Sequence, residues 1–262
     1  MKINTIGVKM DQNEYYNSIF KRKSIRNFDL RPLDDDTLVD ISTHLRALES
    51  MHDDIKVELK IISPDSVKRR MMKRAPHYIA VFSEAKAGYL TNIGFMLQQI
   101  DLYLSHNSLG SCWQGIPSPK KEVLESSNLE FVIFIAFGKP KDPQSLHRTK
   151  ISEFKRKSLH EITDIEGADE LLEAVRLAPS STNGQPWFFT GDENIINVLA
   201  VKPNFVKALL VKDYYLIDIG IAIYHLKVAA EHLGKKTEIL FDEPVKSDAF
   251  KGYEYIISLK LD

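Results

Sequence analysis

Apolar positions along this chain change period several times. Leu38, Ile41, Leu45 and Leu48 recur at steps of three and four, the spacing that gathers side chains on one helix face, and Asn13 stands where it caps a shorter helix running to Arg22. Ile55, Val57, Leu59 and Ile61 then alternate with polar residues, the period of a half-buried strand, and His77 to Phe82 predicts a second strand after the Ala75-Pro76 break. Helical spacing returns from Gly88 to Asn107 and stops at Leu109-Gly110, a plausible C-cap. The unbroken apolar run Phe131 to Phe137 reads as a buried strand, closed by Gly138-Lys139-Pro140.

That order then recurs. Arg156-Lys157-Ser158-Leu159 repeats Arg22-Lys23-Ser24-Ile25 at an offset of 134 positions. A helix is expected from Ala168 to Leu177, Ile217 to Leu233 with its Gly234 matches the long helix ending at Gly110, and Tyr253 to Leu259 echoes the strand at Phe131. The offset shrinks to about 122 along the chain, as it does when loops are trimmed between copies, because loops tolerate deletion and elements do not. Any two α/β halves look alike at this level of detail, but four elements kept in order favour a tandem duplication with halves at 1–150 and 151–262.

At 262 residues, with 44% hydrophobic and 27% charged positions, the chain has enough apolar material for one large or two small domains. A net charge of −1 and a pI near 6.7 offer no general field for nucleic acid or an anionic membrane, so any anion must be gripped locally. The longest apolar run is far below the roughly 20 residues of a membrane span. One cysteine, Cys112, and a first stretch without the apolar core of a secretion signal make the reducing cytoplasm the expected location.

Two segments carry chemistry. Arg22-Lys23-Ser24-Ile25-Arg26 packs three cations and a hydroxyl into five residues, and in an extended stretch Arg22, Ser24 and Arg26 fall on one side. Guanidinium groups and a hydroxyl suit a terminal phosphate, although a solvated basic turn explains the same residues. The second segment, Leu177-Ala178-Pro179-Ser180-Ser181-Thr182-Asn183-Gly184-Gln185-Pro186-Trp187, is less ordinary: two prolines bracket small and amide residues in an irregular, hydrogen-bond-rich loop directly after a helix. Such a loop offers donors and acceptors to a planar heteroaromatic ligand while Trp187 anchors it. A capped turn with a buried tryptophan is the plain alternative. The eight histidines show no metal spacing, and neither a Gly-x-Ser-x-Gly elbow nor a glycine-rich phosphate loop occurs.

Taken together, Arg-x-Ser-x-Arg, the Pro-Ser-Ser-x-Asn-x-Gln-Pro-Trp loop and Leu109-Gly110-Ser111-Cys112-Trp113-Gln114-Gly115 resemble the nitroreductase flavoprotein family, in the branch that fuses two such units in one polypeptide. The resemblance implies a nitroreductase-like α+β three-layer sandwich, two tandem half-units forming a pseudo-dimer that is monomeric or dimerises further, and FMN as cofactor with NAD(P)H as electron donor. It assigns the phosphate to Arg22, Lys23, Ser24 and Arg26 with Arg156 nearby, the ring to Pro179, Ser180, Ser181, Asn183 and Gln185, and the flavin N5 contact to the backbone of Gln114 and Gly115. No side chain is required as a catalytic group, and Cys112 merely lies near. A ping-pong cycle then passes hydride to a small-molecule oxidant such as a nitroaromatic, quinone or activated alkene.

The first half has Arg46-Ala47-Leu48-Glu49-Ser50-Met51-His52 where the loop belongs, and the second half has His160 and Glu161 opposite Arg26. Each half therefore lacks what the other keeps, which implies one FMN per chain. A different alignment reads Lys155-Arg156-Lys157 as the family's closing basic segment. Lys68, Arg69, Arg70 and Lys73 form a cationic cluster suited to the reduced ring's negative charge, or a plain charged surface. Two rival readings stay open: a flavin-binding or interaction module without turnover, and a flavoenzyme of another reaction type on the same fold.

Overall fold

The computed structural model describes residues 11–68, 72–201, 214–241 and 252–262. Its elements are, in chain order, α1 (Gln12–Ile19), α2 (Asp35–Arg46), β1 (Val57–Ile62), β2 (Val67–Lys68), β3 (His77–Ser83), α3 (Tyr89–His106), β4 (Gly110–Gln114), β5 (Ser118–Pro119), α4 (Lys121–Leu124), β6 (Glu130–Gly138), α5 (Asp169–Arg176), β7 (Trp187–Gly191), β8 (Ile195–Val201), α6 (Tyr215–His232), β9 (Thr237–Leu240) and β10 (Tyr253–Leu261). All the helices and strands expected from periodicity are present within a few residues. Asn13 lies inside α1 instead of capping it, whereas α2 is capped by Asp34, whose carboxylate accepts from the Thr37 N–H. The strands β4, β7, β8 and β9 were not expected. β4 begins at the Gly110 read as a helix cap, and the others are short or follow directly on loop signals.

The chain forms two compact units. The first comprises residues 1–11, 21–89 and 99–149, and the second residues 12–20, 90–98 and 150–262. Each contains a four-stranded antiparallel sheet with a crossover, ordered β1-β3-β6-β4 in the first and β7-β8-β10-β9 in the second. In both, the second and third strands in chain order are separated by an eighteen-residue helix, α3 or α6, and the fourth strand inserts between the second and third.

In the first unit every residue of β3 is buried, as are Val132 to Gly138 of β6, so this part of the sheet is covered on both faces. One face packs Tyr78, Ala80, Phe82, Phe134 and Ala136 against Ile25 and Phe28. Removing each large apolar side chain from water contributes roughly 2–3 kcal/mol, and here that term holds the stretch after Ser24 onto the sheet.

In the second unit α6 is buried on nearly its whole circumference, with α1 and α5 packed on it. A helix that is largely apolar all round reads as a core element, which matches the unbroken buried run from Ile217 to Leu226. Residues 90–98 cross α6 through paired glycines. A Cβ on Gly94 would lie 2.0 Å from the Ile217 carbonyl oxygen, and one on Gly220 would lie 1.9 Å from that of Thr91. The contact is reciprocal at a constant step: Thr91 and Ile217, like Gly94 and Gly220, stand 126 positions apart. Among the described residues, no helix is long and apolar enough to cross a membrane.

Candidate functional site

In the first unit the basic segment runs beside strand β4. Ser24 bridges Ser111 in parallel, and the Ile25 N–H donates to the Ser111 carbonyl at 2.8 Å. The far end of the stretch is tied down as well, with Asp29 N–H donating to Lys139 O and Lys141 N–H to Asn27 O, each at 2.9 Å. This lacing holds the segment along the strand, but its burial does not alternate strictly: Arg22 and Ile25 are buried, Lys23 and Ser24 are partly covered, and Arg26 is exposed.

Arg22 is the unexpected member. Its side chain is 1% exposed, and its Nε lies 2.9 Å from Oδ2 of Asp101, which is 0% exposed and sits on α3. The other oxygen of Asp101 accepts from the Ser111 hydroxyl, and Arg22 Nη2 donates to Ser24 Oγ at 3.0 Å. The Arg22 charge is thus already compensated inside the protein, and its remaining bond orients the serine. Sequence alone placed Arg22 as an open cation because its partner lies 79 positions away at a helix position with no local signature. Arg26 and Lys23 have no ion pair among the described residues and remain the charges available to an anion.

On the same β4, Gln114 is 3% exposed, yet its side-chain Oε1 accepts no hydrogen bond among the described residues; the indole N–H of the adjacent Trp113 is likewise buried and unpaired. A buried polar atom left in this state costs about 1–3 kcal/mol and marks a place where a ligand or water donor fits. Gly115 is exposed. Cys112 is buried, and burial pushes its thiol above the ordinary range, which disfavours a reactive thiolate. Of the cationic cluster before β3, Lys68 and Lys73 are exposed, while Arg69 and Arg70 lie outside the described residues.

The second unit holds the proline-bracketed loop. Trp187 is 1% exposed and anchors it, and Pro179 is buried. Thr182, Asn183 and Gln185 all adopt left-handed backbone, with φ of 52°, 60° and 48°. Non-glycine residues take that conformation at a cost of order 1–3 kcal/mol each and keep it only when surrounding bonds enforce it.

Those bonds come largely from residues 155–157. Asn183 Nδ2 donates to Lys155 O at 2.8 Å, Arg156 donates to Asn183 Oδ1, and the Lys157 N–H donates to Gln185 Oε1 at 2.8 Å. Gln185 Nε2 returns to Asn183 O at 3.0 Å, and the Gln185 N–H donates to Ser180 Oγ at 2.9 Å. The amides of Asn183 and Gln185 therefore brace the loop against the 155–157 segment, and Ser181 presents its exposed side chain outward.

Beneath the loop lies a residue the sequence reading did not single out. Asp218, in the first turn of α6, accepts the Ser181 N–H with both carboxylate oxygens at 3.0 Å. Burial raises its pKa to about 7, against the lowering effects of the Ser181 hydrogen bond and the Arg156 charge. Its only sequence signal was a lone acid inside an apolar helix run.

Ser158 and Glu161 bond each other in a capping box, with the Ser158 N–H to Glu161 Oε2 at 2.9 Å, and Thr163 then bridges Phe189 on β7. The repeated Arg-Lys-Ser therefore leads to opposite sheet edges in the two units, β4 in one and β7 in the other. Position by position it is not a copy in place, because the Ser158 turn redirects the second stretch.

A family model described as "Putative TM nitroreductase" matches residues 14–230. Among solved structures, a "putative nitroreductase" from Thermotoga maritima superposes with a TM-score of 0.65 at 20% identity, covering 99% of both chains. An FMN-dependent nitroreductase from Mycobacterium smegmatis in complex with NADPH reaches a TM-score of 0.40 at 16% identity, covering 56% of this chain and 100% of its own. An FMN-dependent nitroreductase from Clostridium difficile gives 0.42 at 16% identity, over 54% and 96%. No curated protein matches the sequence. The chain belongs to the TM nitroreductase family and has the mixed α and β nitroreductase fold.

Proposed function

We propose that this chain is an FMN-dependent NAD(P)H oxidoreductase that holds one FMN. The reading is carried by one observation in the first unit: Ser24 and the unpaired cations Lys23 and Arg26 run beside a β4 whose Gln114 keeps a buried acceptor without a donor. A phosphate matches the first set and the ring N–H of a flavin matches the second, so the residues present fit the group. Similarity to structures named as FMN-dependent nitroreductases supports the same assignment.

In this reading Lys23, Ser24 and Arg26 hold the phosphate, and Arg22, neutralised by Asp101, orients Ser24. The Gln114-Gly115 stretch would hold the reactive edge of the ring. In the second unit Asn183, Gln185 and Arg156 brace the loop that carries Pro179, Ser180 and Ser181, the residues that the family resemblance assigns to the ring. The chemistry supplied by bound FMN is hydride transfer from NAD(P)H to a nitroaromatic, quinone or activated alkene. No side chain of this chain needs to act as a nucleophile, and its tasks are to orient, to bind charge and to exclude water. The matching sheet topologies and the reciprocal glycines support a tandem duplication as the origin of the chain.

Purified protein is expected to be yellow, with flavin absorbance near one equivalent per chain, bleached by NADH or NADPH under nitrogen and restored by a quinone. Ser24→Ala or Arg22→Ala is expected to weaken FMN retention strongly, and Arg156→Ala or His160→Ala less. A colourless protein that takes up no added FMN overturns the proposal; a bound flavin that stays oxidised under NAD(P)H turns it into a flavin-binding module.

A further inference from the structure

The acid under the proline-bracketed loop has no partner in the proposed chemistry. Asp218 is 6% exposed, and among the described residues what it accepts is one backbone N–H, that of Ser181. An amide oxygen accepts such a bond without bringing a charge into the core, where the ionised form is disfavoured, but holds it more weakly than a carboxylate does. At the matching helix step, 126 positions earlier, the chain has Asn92, in the half whose own loop position lacks the serine pair. The acid thus accompanies the loop that was kept.

The loop needs such a hold at its start. The 155–157 segment braces Asn183 and Gln185, the later left-handed residues, but the turn begins at Ser181, where the backbone bond runs to Asp218. The elements around it carry the following charged groups among the described residues. Lys155, Arg156 and Lys157 come from the bracing segment, Asp169, Glu170, Glu173 and Arg176 from α5, Glu14 from α1 and Glu238 from β9, whereas residues 90–98 and β8 carry none. Arg176 is paired with Glu173, and Arg156 is the cation whose field reaches Asp218.

We infer that Asp218 is a positioning residue: by gripping the Ser181 N–H with a charged carboxylate it pins the 180–185 loop in the shape that presents Ser180 and Ser181 to the flavin ring. The assignment rests on the FMN reading proposed above. Burial raises the Asp218 pKa to about 7, so the charged grip is present above neutrality and is lost as pH falls below it.

The test is Asp218→Asn, which keeps the shape and an acceptor but removes the charge. Two measurements are made on the full chain at about pH 6 and about pH 8, either side of the transition: amide hydrogen exchange of the peptide spanning the loop, corrected for the intrinsic pH dependence, and FMN affinity by quenching of flavin fluorescence. At the higher pH the variant is expected to exchange faster and to bind FMN roughly ten-fold more weakly, the scale of replacing a charge-assisted bond by a neutral one. The wild type is expected to lose loop protection and affinity at the lower pH, and the variant to respond only as the FMN phosphate itself titrates.

Unchanged loop exchange in the variant overturns the pin. Faster exchange with unchanged FMN affinity overturns its link to the ligand. A wild type that refuses FMN overturns the flavin reading, while the exchange arm still decides the pin.

Discussion

The two basic segments share Arg-Lys-Ser and almost nothing else. In the first unit Arg22 is buried against Asp101, and the stretch after it runs along β4. In the second, Arg156 donates to the neutral oxygens of Phe154, Leu177 and Asn183, and the stretch after it turns through a capping box to β7. The helices explain the divergence. At the step where α3 carries Asp101, α6 carries Lys227, which pairs with Glu231 one turn on and offers a cation nothing. A triplet read from sequence names a possible role; the residue facing it decides whether that role is to bind a ligand or to hold a frame.

The sharpest way to break this comparison is to remove the two helix residues in turn. Asp101→Ala leaves Arg22 charged and unpaired in the core and is expected to cost roughly 3–5 kcal/mol. Lys227→Ala, which breaks a partly buried i,i+4 pair with Glu231, should cost about 1 kcal/mol. Urea unfolding monitored by tryptophan fluorescence measures both, and equal losses would erase the distinction between the units.

The glycines test what the copies still share. Gly94→Ala and Gly220→Ala each drive a methyl into a backbone carbonyl, and each should cost about 3 kcal/mol, the upper end for overpacking. The reciprocal crossing requires the two losses to agree in thermal unfolding. A tolerated alanine at one position would mean that the crossing is not symmetric.

A pH-dependent effect separates Asp218 from its counterpart Asn92. With its carboxyl raised from 3.8 to about 7, the folded chain retains a proton that the unfolded chain has released across that window. More protons are then bound in the folded state, so this group's contribution makes stability fall as pH rises from about 4 to about 7 and stay level above. Asp218→Asn is expected to remove that slope and to raise stability at pH 8, measured by unfolding midpoints across the window. Enhanced stability with weakened flavin binding is the signature of a residue kept for a site at the expense of the fold.

Much of the frame was legible in advance. The long helices, the strand β3 and the buried strand β6 announce themselves through period and apolar content, and the loop from Pro179 to Trp187 is conspicuous for its prolines and small polar residues. The strands β7 and β9 escaped notice because four or five residues between loop signals carry too few positions for a period, and β4 because its Gly110 doubles as a helix-end signal.

What the chain's order of residues determined by itself was local: which stretches bury an apolar face, where the backbone must turn, and which chemical groups stand together in a motif. The pairing of Arg22 with Asp101, the burial of Gln114 Oε1 and the grip of Asp218 on Ser181 were decided only when distant segments packed. Burial sets the cost of a charge or an unpaired oxygen, and burial is a property of the folded chain that no single segment contains.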